Sequence, residues 1–377
     1  MPSIPSFPLI HFGFGAIQEL DPELKKRGIS RPLILTDQGL VKHGVCQKLR
    51  DTLTDGFEIF IFDKIPENPT ALGIEEAAKV YASNNCDGII GLGGGSVLDS
   101  GKALRVAVTH RMSVLEILNN NEKLTADVAP YITIPTTAGT GAEINFGGGI
   151  HPETNTPALS IRSLFVKPDI AICDPEFTMT LPPALTAATG MDALTHCVEG
   201  FLSKNSNPPA EASALDATRR VIDFVERAYA DGNDRQARSE MSMAALQGGM
   251  AIYMGLGPIH ALSMAFGDSP LHHGTLVTVS MPAVMRFYNG KLTDGRLEKF
   301  SKAMRLIGDK DSGNRIADTV EEMNNSMGLP NTVREMGYEK MDIDRMVQDC
   351  CSSHFNLTAP IVPTAKEYEK IITTVLG

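Results

Sequence analysis

The first half of the chain alternates short apolar, β-branched runs with longer amphipathic stretches. RPLILTD (31–37), FEIFIF (57–62), DGIIGL (87–92), YITIP (131–135) and DIAICD (169–174) read as strands, most of them ending in polar or glycine-rich turns. ALGIEEAAKVYASNN (71–85) lies between two of them with helical spacing. Strands alternating with helices predict βαβ units and a mostly parallel sheet. In such a sheet ligands belong at the carboxyl ends of the strands.

After residue 180 the pattern changes. From LPPALTAATG (181–190) onward no convincing strand recurs, while SALDATRRVIDFVERAYA (213–230), RSEMSMAALQGGMAIYM (238–254) and AKEYEKIITTVL (365–376) carry helical periodicity. Pro182 and Pro183 mark the junction, because proline suits a first helical turn and is disfavoured inside a helix. The expected architecture is an α/β domain with a mostly parallel sheet over 1–180, followed by an all-α domain over 181–377.

Composition narrows the function classes. A chain of 377 residues suits two domains, each with its own core. With 42% hydrophobic and 21% charged residues it reads as globular, and no apolar run has the roughly 18 to 20 residues needed to span a bilayer. The start MPSIPSFPLIHFGFG lacks the basic, apolar and small-residue regions of a secretory signal, so a cytoplasmic location and no membrane association are expected. Six scattered cysteines show no C-x-x-C spacing and suggest reduced thiols. A net charge of -11 without any basic run argues against nucleic acid and favours a small-molecule substrate.

Three strand ends carry chemistry. IIGLGGGSVLDSGKAL (89–104) is a strand, a glycine turn and a helix. Its glycines admit close approach of a pyrophosphate, and the helix N-terminus attracts the anion. PTTAGTGAE (135–143) follows a second strand and offers threonine hydroxyls among glycines. In LTDQGL (35–40), Asp37 sits just after a strand, where an acid binds a ribose and repels a 2′-phosphate. NAD is therefore expected over NADP. Lys102 either adds charge at this site or is a solvated helix residue.

A second constellation lies in the helical half. TAATGMDALTHCVEGFLS (186–203) sets Asp192 and His196 four residues apart, on one face of a helix. HALSMAFGDSPLHHG (260–274) carries three of the nine histidines, with Met264 one turn after His260 and a helix break over 267–270. Asp192, His196, His260 and the His272–His273 pair supply imidazoles and a carboxylate suited to Fe(II) or Zn(II).

Together GGGSVLDSGKA, IPTTAGTGAE, DPEFTMTLPPALTAATGMDALTHCVEGF and HALSMAFGDSPLHHG resemble the iron-containing (group III) alcohol dehydrogenase family, in order and across nearly the whole chain. The resemblance implies a dinucleotide-binding domain, a helical metal-binding domain and an active site in the cleft between them. Family ligands carry over to Asp192, His196, His260 and His273, the last because Gly274 follows it. Asp37, Asn68, Gly94, Gly95, Ser96, Thr136, Thr137 and Thr140 match positions that contact the cofactor. Met264 stands where the family has a second histidine, Ala158 where it commonly has a lysine, and the glycine-rich stretch 145–155 where substrate-facing residues are expected. An atypical substrate pocket follows, in which Arg162 and Lys167 either anchor an acidic tail or are simply solvated, and His272 either relays the alcohol proton or points away while the proton leaves through water or a ribose hydroxyl.

The expected activity is NAD(H)-linked oxidation of a small alcohol or hydroxy acid, or the reverse reduction, by a homodimer using iron or zinc. The nicotinamide takes the hydride while the substrate oxygen sits on the metal. The alternative is an NAD- and metal-dependent carbon–oxygen lyase like dehydroquinate synthase. Such an enzyme needs clustered lysine and arginine, in which the motifs are poor.

Overall fold

The computed structural model describes residues 6–308 and 310–377. The described chain falls into two compact units, one built from Ser6–Thr137 with Ala142–Thr180 and the other from Ala138–Gly141 with Leu181–Gly377.

The strands of the first unit are β1 (Leu9–Phe12), β2 (Pro32–Leu35), β3 (Phe60–Phe62), β4 (Gly88–Gly93), β5 (Tyr131–Pro135), β6 (Gly147–Ile150), β7 (Leu159–Arg162) and β8 (Ile170–Cys173). Six of them form a sheet in the order β1-β8-β5-β4-β2-β3 with every pair parallel, and β6 and β7 form a separate antiparallel hairpin. Its helices are α1 (Leu20–Lys26), α2 (Gln38–Lys42), α3 (Val45–Arg50), α4 (Ala71–Ser83), α5 (Gly95–His110) and α6 (Val114–Asn119). Strands β2, β4, β5 and β8 are buried at every position, which is why their sequences read as unbroken apolar runs. All five strands expected from the sequence are present. β1 and the hairpin lay outside that reading, since LIHF is a short sheet-edge strand and GGGI lacks β-branched character until its last residue.

The chain runs from β2 outward to β3 and returns to β4 on the other side of β2, so a switch point lies between β2 and β4. In register, Leu35 of β2 faces Gly91 of β4, and Gly93 of β4 faces Pro135 of β5. The three polar strand ends found in the sequence, after residues 36, 93 and 135, therefore lie side by side.

Lys102 neither faces solvent nor stands ready for an anion. It is 0% exposed, and its ammonium donates to Asp99 Oδ1 (2.9 Å), Asn145 Oδ1 (2.6 Å) and the Gly147 carbonyl (2.6 Å). Three donors meet three acceptors, which is the condition for burying a lysine. The glycines of β6 have a packing reason: a Cβ on Gly148 would sit 2.7 Å from the Asp99 carboxyl carbon, and Gly149 N–H donates to Asp99 Oδ2. The glycine-rich stretch thus clamps the hairpin to α5.

The second unit holds α7 (Pro183–Leu202), α8 (Pro208–Ala230), α9 (Arg235–Ala251), α10 (Pro258–Ala265), α11 (His273–Tyr288), α12 (Arg296–Ala303), α13 (Ser312–Ser326), α14 (Ile343–Ser352) and α15 (Ala365–Leu376), with no strand among its described residues. α7 is buried at every residue from Thr186 to Leu202, as expected of a helix enclosed on all sides. No helix among the described residues is long and apolar enough to cross a membrane.

Glu143, 3% exposed in the sheet unit, has its pKa raised by burial from 4.5 to about 7. A raised native pKa contributes stability that is complete below pH 4.5 and is lost as pH rises through 7. The expected outcome for Glu143→Gln is a flatter stability profile between pH 5 and 8 than in the wild type, by about 3 kcal/mol at most. Denaturant unfolding at each pH, followed in both proteins, checks it.

Candidate metal centre and nucleotide-binding features

Helix α7 carries Asp192, His196 and Glu199 at spacings of four and three, so all three share one face. They are 1%, 4% and 5% exposed on a helix otherwise packed with apolar side chains. A polar stripe this dry needs partners. α10 and α11 bring them.

His260 sits in the first turn of α10, 3% exposed, and its ring stacks on that of His196 with centroids 5.1 Å apart. His273 opens α11, with its ring centroid 5.4 Å from that of His260. Its neighbour Gly274 fixes that approach, because a Cβ there would stand 2.8 Å from the Ala188 carbonyl oxygen of α7. The turn between α10 and α11 is held by Asp268, which accepts from Lys340 Nζ (2.9 Å) and the Tyr338 hydroxyl (3.2 Å).

Asp192, His260 and His273 each offer a ligand atom, and these atoms lie within 4.8 Å of one another. His196 Nε2 lies 3.5 Å from Asp192 Oδ1, beside that set. Asp192 Oδ1 and His260 Nε2 are buried without hydrogen-bond partners among the described residues. Orphaned acceptors cost roughly 1–3 kcal/mol each unless something fills the space between them. One carboxylate oxygen with imidazole nitrogens is a donor set that suits ferrous iron or zinc, so the residues fit the ion. His273 is exposed while Asp192 and His260 are buried, so the cluster opens at His273.

Burial, with the neighbouring His260, pushes the His196 pKa down to about 3. Desolvation on its cluster side pulls His273 in the same direction, against the opposing pull of Asp192. Both rings are neutral at pH 7 and ready to donate lone pairs. Burial raises the pKa of Asp192, and the surrounding imidazoles pull it back.

Met264, half-buried, lies one turn after His260 on α10. His272 is the N-cap of α11: its Nδ1 accepts from Thr275 N–H at 3.3 Å, so in the neutral ring Nε2 carries the hydrogen. Two residues here escaped the sequence reading. Glu199 was visible as the third member of the α7 stripe. Phe355, whose ring centroid is 5.5 Å from that of His260, belongs to no motif and reaches the site only through the fold.

In the sheet unit, α5 begins at the glycine turn. Its N-cap, Gly94, provides no side-chain cap, whereas Asp37, Thr70 and Ser113 cap α2, α4 and α6. The first-turn N–H groups of a long helix are thus left for an anion. A Cβ on Gly94 would stand 3.0 Å from Thr137 Cγ2, so the β4 and β5 ends pack closely. Gly95 is the first residue of α5, the Ser96 hydroxyl donates to the Glu67 carbonyl, and Thr136 N–H donates to the Gly93 carbonyl at 3.1 Å. Asp37 Oδ1 accepts from Leu40 N–H at 2.9 Å, and Asn68 is half-buried. Thr140 belongs to the helical unit, with the Ala138–Gly141 segment. Of the expected acid anchors, Lys167 donates to Ser6 and Arg162 lies over the Phe146 ring at 5.4 Å.

A glycine turn and an uncapped helix start at a sheet switch point, together with a carboxylate–imidazole cluster in a helical unit, are features that a metal-dependent dinucleotide oxidoreductase needs. Residues 8–175 match the family model for iron-containing alcohol dehydrogenase, and residues 186–376 match the C-terminal model of the Fe-containing alcohol dehydrogenase family. The chain belongs to the iron-containing alcohol dehydrogenase family. It is 39% identical over 372 residues to 4-hydroxybutyrate dehydrogenase of Cupriavidus necator, covering 96% of this chain and 97% of that protein. It is 34% identical over 357 residues to choline dehydrogenase of Bacillus subtilis (strain 168), covering 90% and 87%. Among solved structures, an alcohol dehydrogenase from Oenococcus oeni superimposes with a TM-score of 0.92 at 26% identity, covering 98% of both chains. The protein is accordingly an NAD(H)-linked oxidoreductase of CH–OH groups that uses iron or a related divalent metal.

The lowered histidines set a pH dependence. A depressed native pKa contributes stability that is complete above the ordinary histidine value of 6.5 and, for the buried His196, is lost as pH falls toward about 3. The raised Asp192 acts in the opposite direction, losing its contribution as pH rises above 3.8. The metal-free protein is expected to melt at progressively lower temperature from pH 6.5 to 4, and His196→Asn to remove part of that fall. Calorimetry of the two metal-free proteins across this range checks it, and parallel profiles would refute the assignment to His196.

Proposed function

We propose that this enzyme interconverts a short ω-hydroxy acid of the 4-hydroxybutyrate type and its semialdehyde, with NAD as the hydride carrier. The observation that carries the reading is the 39% identity, over nearly the full length of both chains, to a 4-hydroxybutyrate dehydrogenase. The half-buried Met264, next to His260, supports a pocket drier than one lined by a second imidazole.

Asp192, His196, His260 and His273 are assigned as the ligands of one divalent ion. When bound, that ion supplies the Lewis acidity that makes an alcohol acidic, and the nicotinamide supplies the redox chemistry. The protein's part is placement. The stripe on α7 fixes two of the donors, α10 and α11 add the other two, and the open face at His273 admits the substrate. Gly94, Gly95 and Ser96 present the start of α5 to the pyrophosphate, Thr136, Thr137 and Asn68 flank it, and Asp37 holds the ribose and repels a 2′-phosphate. His272 exchanges the alcohol proton with solvent, and to take it the ring must release its cap at Thr275.

The test is NADH formation from 4-hydroxybutyrate, 1,4-butanediol and choline by iron- and zinc-reconstituted protein. 4-Hydroxybutyrate is expected to give the highest kcat/KM, and a tenfold preference for either competitor would overturn the substrate reading. His260→Ala is expected to lose metal and activity together while retaining NAD binding by calorimetry.

The relay has its own variant. His272→Ala is expected to lower turnover by about 10²-fold without loss of metal. Unchanged turnover with only a lower melting temperature would leave His272 as a helix cap alone.

A further inference from the structure

We propose that Glu199 is the positioning residue of the metal centre, a single buried carboxylate that caps α10 and fixes both the orientation and the tautomer of His260. The inference rests on the assignment of His260 as a ligand.

The start of α10 is unusual. Its N-cap, Gly257, has no side chain to cap it, and Pro258 at the first helical position has no N–H, so the first unmet donors are those of Ile259 and His260. Glu199 takes both from across the core: Ile259 N–H donates to Oε1 at 2.6 Å, and His260 N–H approaches Oε2 at 3.4 Å. Gly257 makes room for this, since a Cβ there would stand 3.0 Å from Glu199 Oε1.

The same Oε2 lies 2.6 Å from His260 Nδ1. An ionised carboxylate only accepts, so Nδ1 carries the hydrogen and Nε2 holds the free lone pair. Nε2 is the buried atom left without a partner. The carboxylate therefore turns the lone pair of His260 toward Asp192 and His273. Glutamine keeps the size of glutamate and loses this capacity: an amide accepts at one end only, while Glu199 meets a donor at each oxygen.

Helix capping alone predicts an effect on folding and none on the metal, so the experiment reads the metal directly. Zinc affinity and the visible absorption of the cobalt-substituted protein are measured for the wild type, Glu199→Gln and His260→Asn. The expected result is a ~10–100-fold weaker zinc affinity in Glu199→Gln, with shifted cobalt bands. Wild-type affinity and an unchanged cobalt spectrum in Glu199→Gln, alongside metal loss in His260→Asn, would overturn the role of Glu199 and leave the ligand assignment standing. Wild-type affinity in His260→Asn would overturn both. Should Glu199→Gln not fold, imidazole nitrogen NMR of the ¹⁵N-histidine-labelled wild type decides. A protected Nδ1–H signal, missing from His260→Asn and present before and after zinc addition, is expected, and its absence overturns the proposal.

Discussion

Two carboxylates and two imidazoles lie where water does not reach, and the helical unit is arranged around that fact. Asp192, His196 and Glu199 occupy one stripe of a helix buried from Thr186 to Leu202. In a dry core each unmet polar atom is costly, so the groups opposite the stripe must supply either hydrogen bonds or a shared ion. α10 and α11 meet that demand with His260 and His273, and both helices start at the centre. Their first turns thereby face the buried stripe of α7.

The sheet unit solves a different problem, how to offer positive potential without placing free cations at the site. Its one deeply buried lysine, Lys102, is fully committed to Asp99, Asn145 and Gly147 and serves as a clamp. In the reading proposed above, the attraction for an anion comes instead from the start of α5, which has no side-chain cap and whose dipole adds its field. This division suits a cofactor that must bind and leave, because neutral backbone donors hold a pyrophosphate less tenaciously than paired ammonium groups would.

Both units use helix termini as instruments, and they differ in what caps them. α2, α4 and α6 are capped by their own N-cap side chains and are closed. α5 is open to a ligand. α10 is capped from a distance by Glu199, and α11 by His272, so its cap and its chemistry share adjacent residues. The state of each terminus follows from one residue at the N-cap: glycine leaves the donors available, and a short polar side chain consumes them.

The sequence by itself determined the two-part architecture, the strands β2, β3, β4, β5 and β8 and the principal helices, because burial on both faces or on one stripe leaves a period in the residues that needs no tertiary knowledge. It also exposed the glycine turn at 93–95 and the Asp192–His196 pair, since a strand-to-helix turn and an i, i+4 spacing are local. Glu199 was legible as the continuation of that stripe and went unread, because one more glutamate on a helix looks like a solvated face until its burial is known. What only the tertiary structure decided is convergence. The approach of α10 and α11 to α7, the contact of Phe355 with His260, the capture of Lys102 by the β6 turn and the return of the chain past β2 to form the switch point all join residues far apart in sequence. Such contacts are set by packing and by the entropy of closing long loops, and neither leaves a local period to be read.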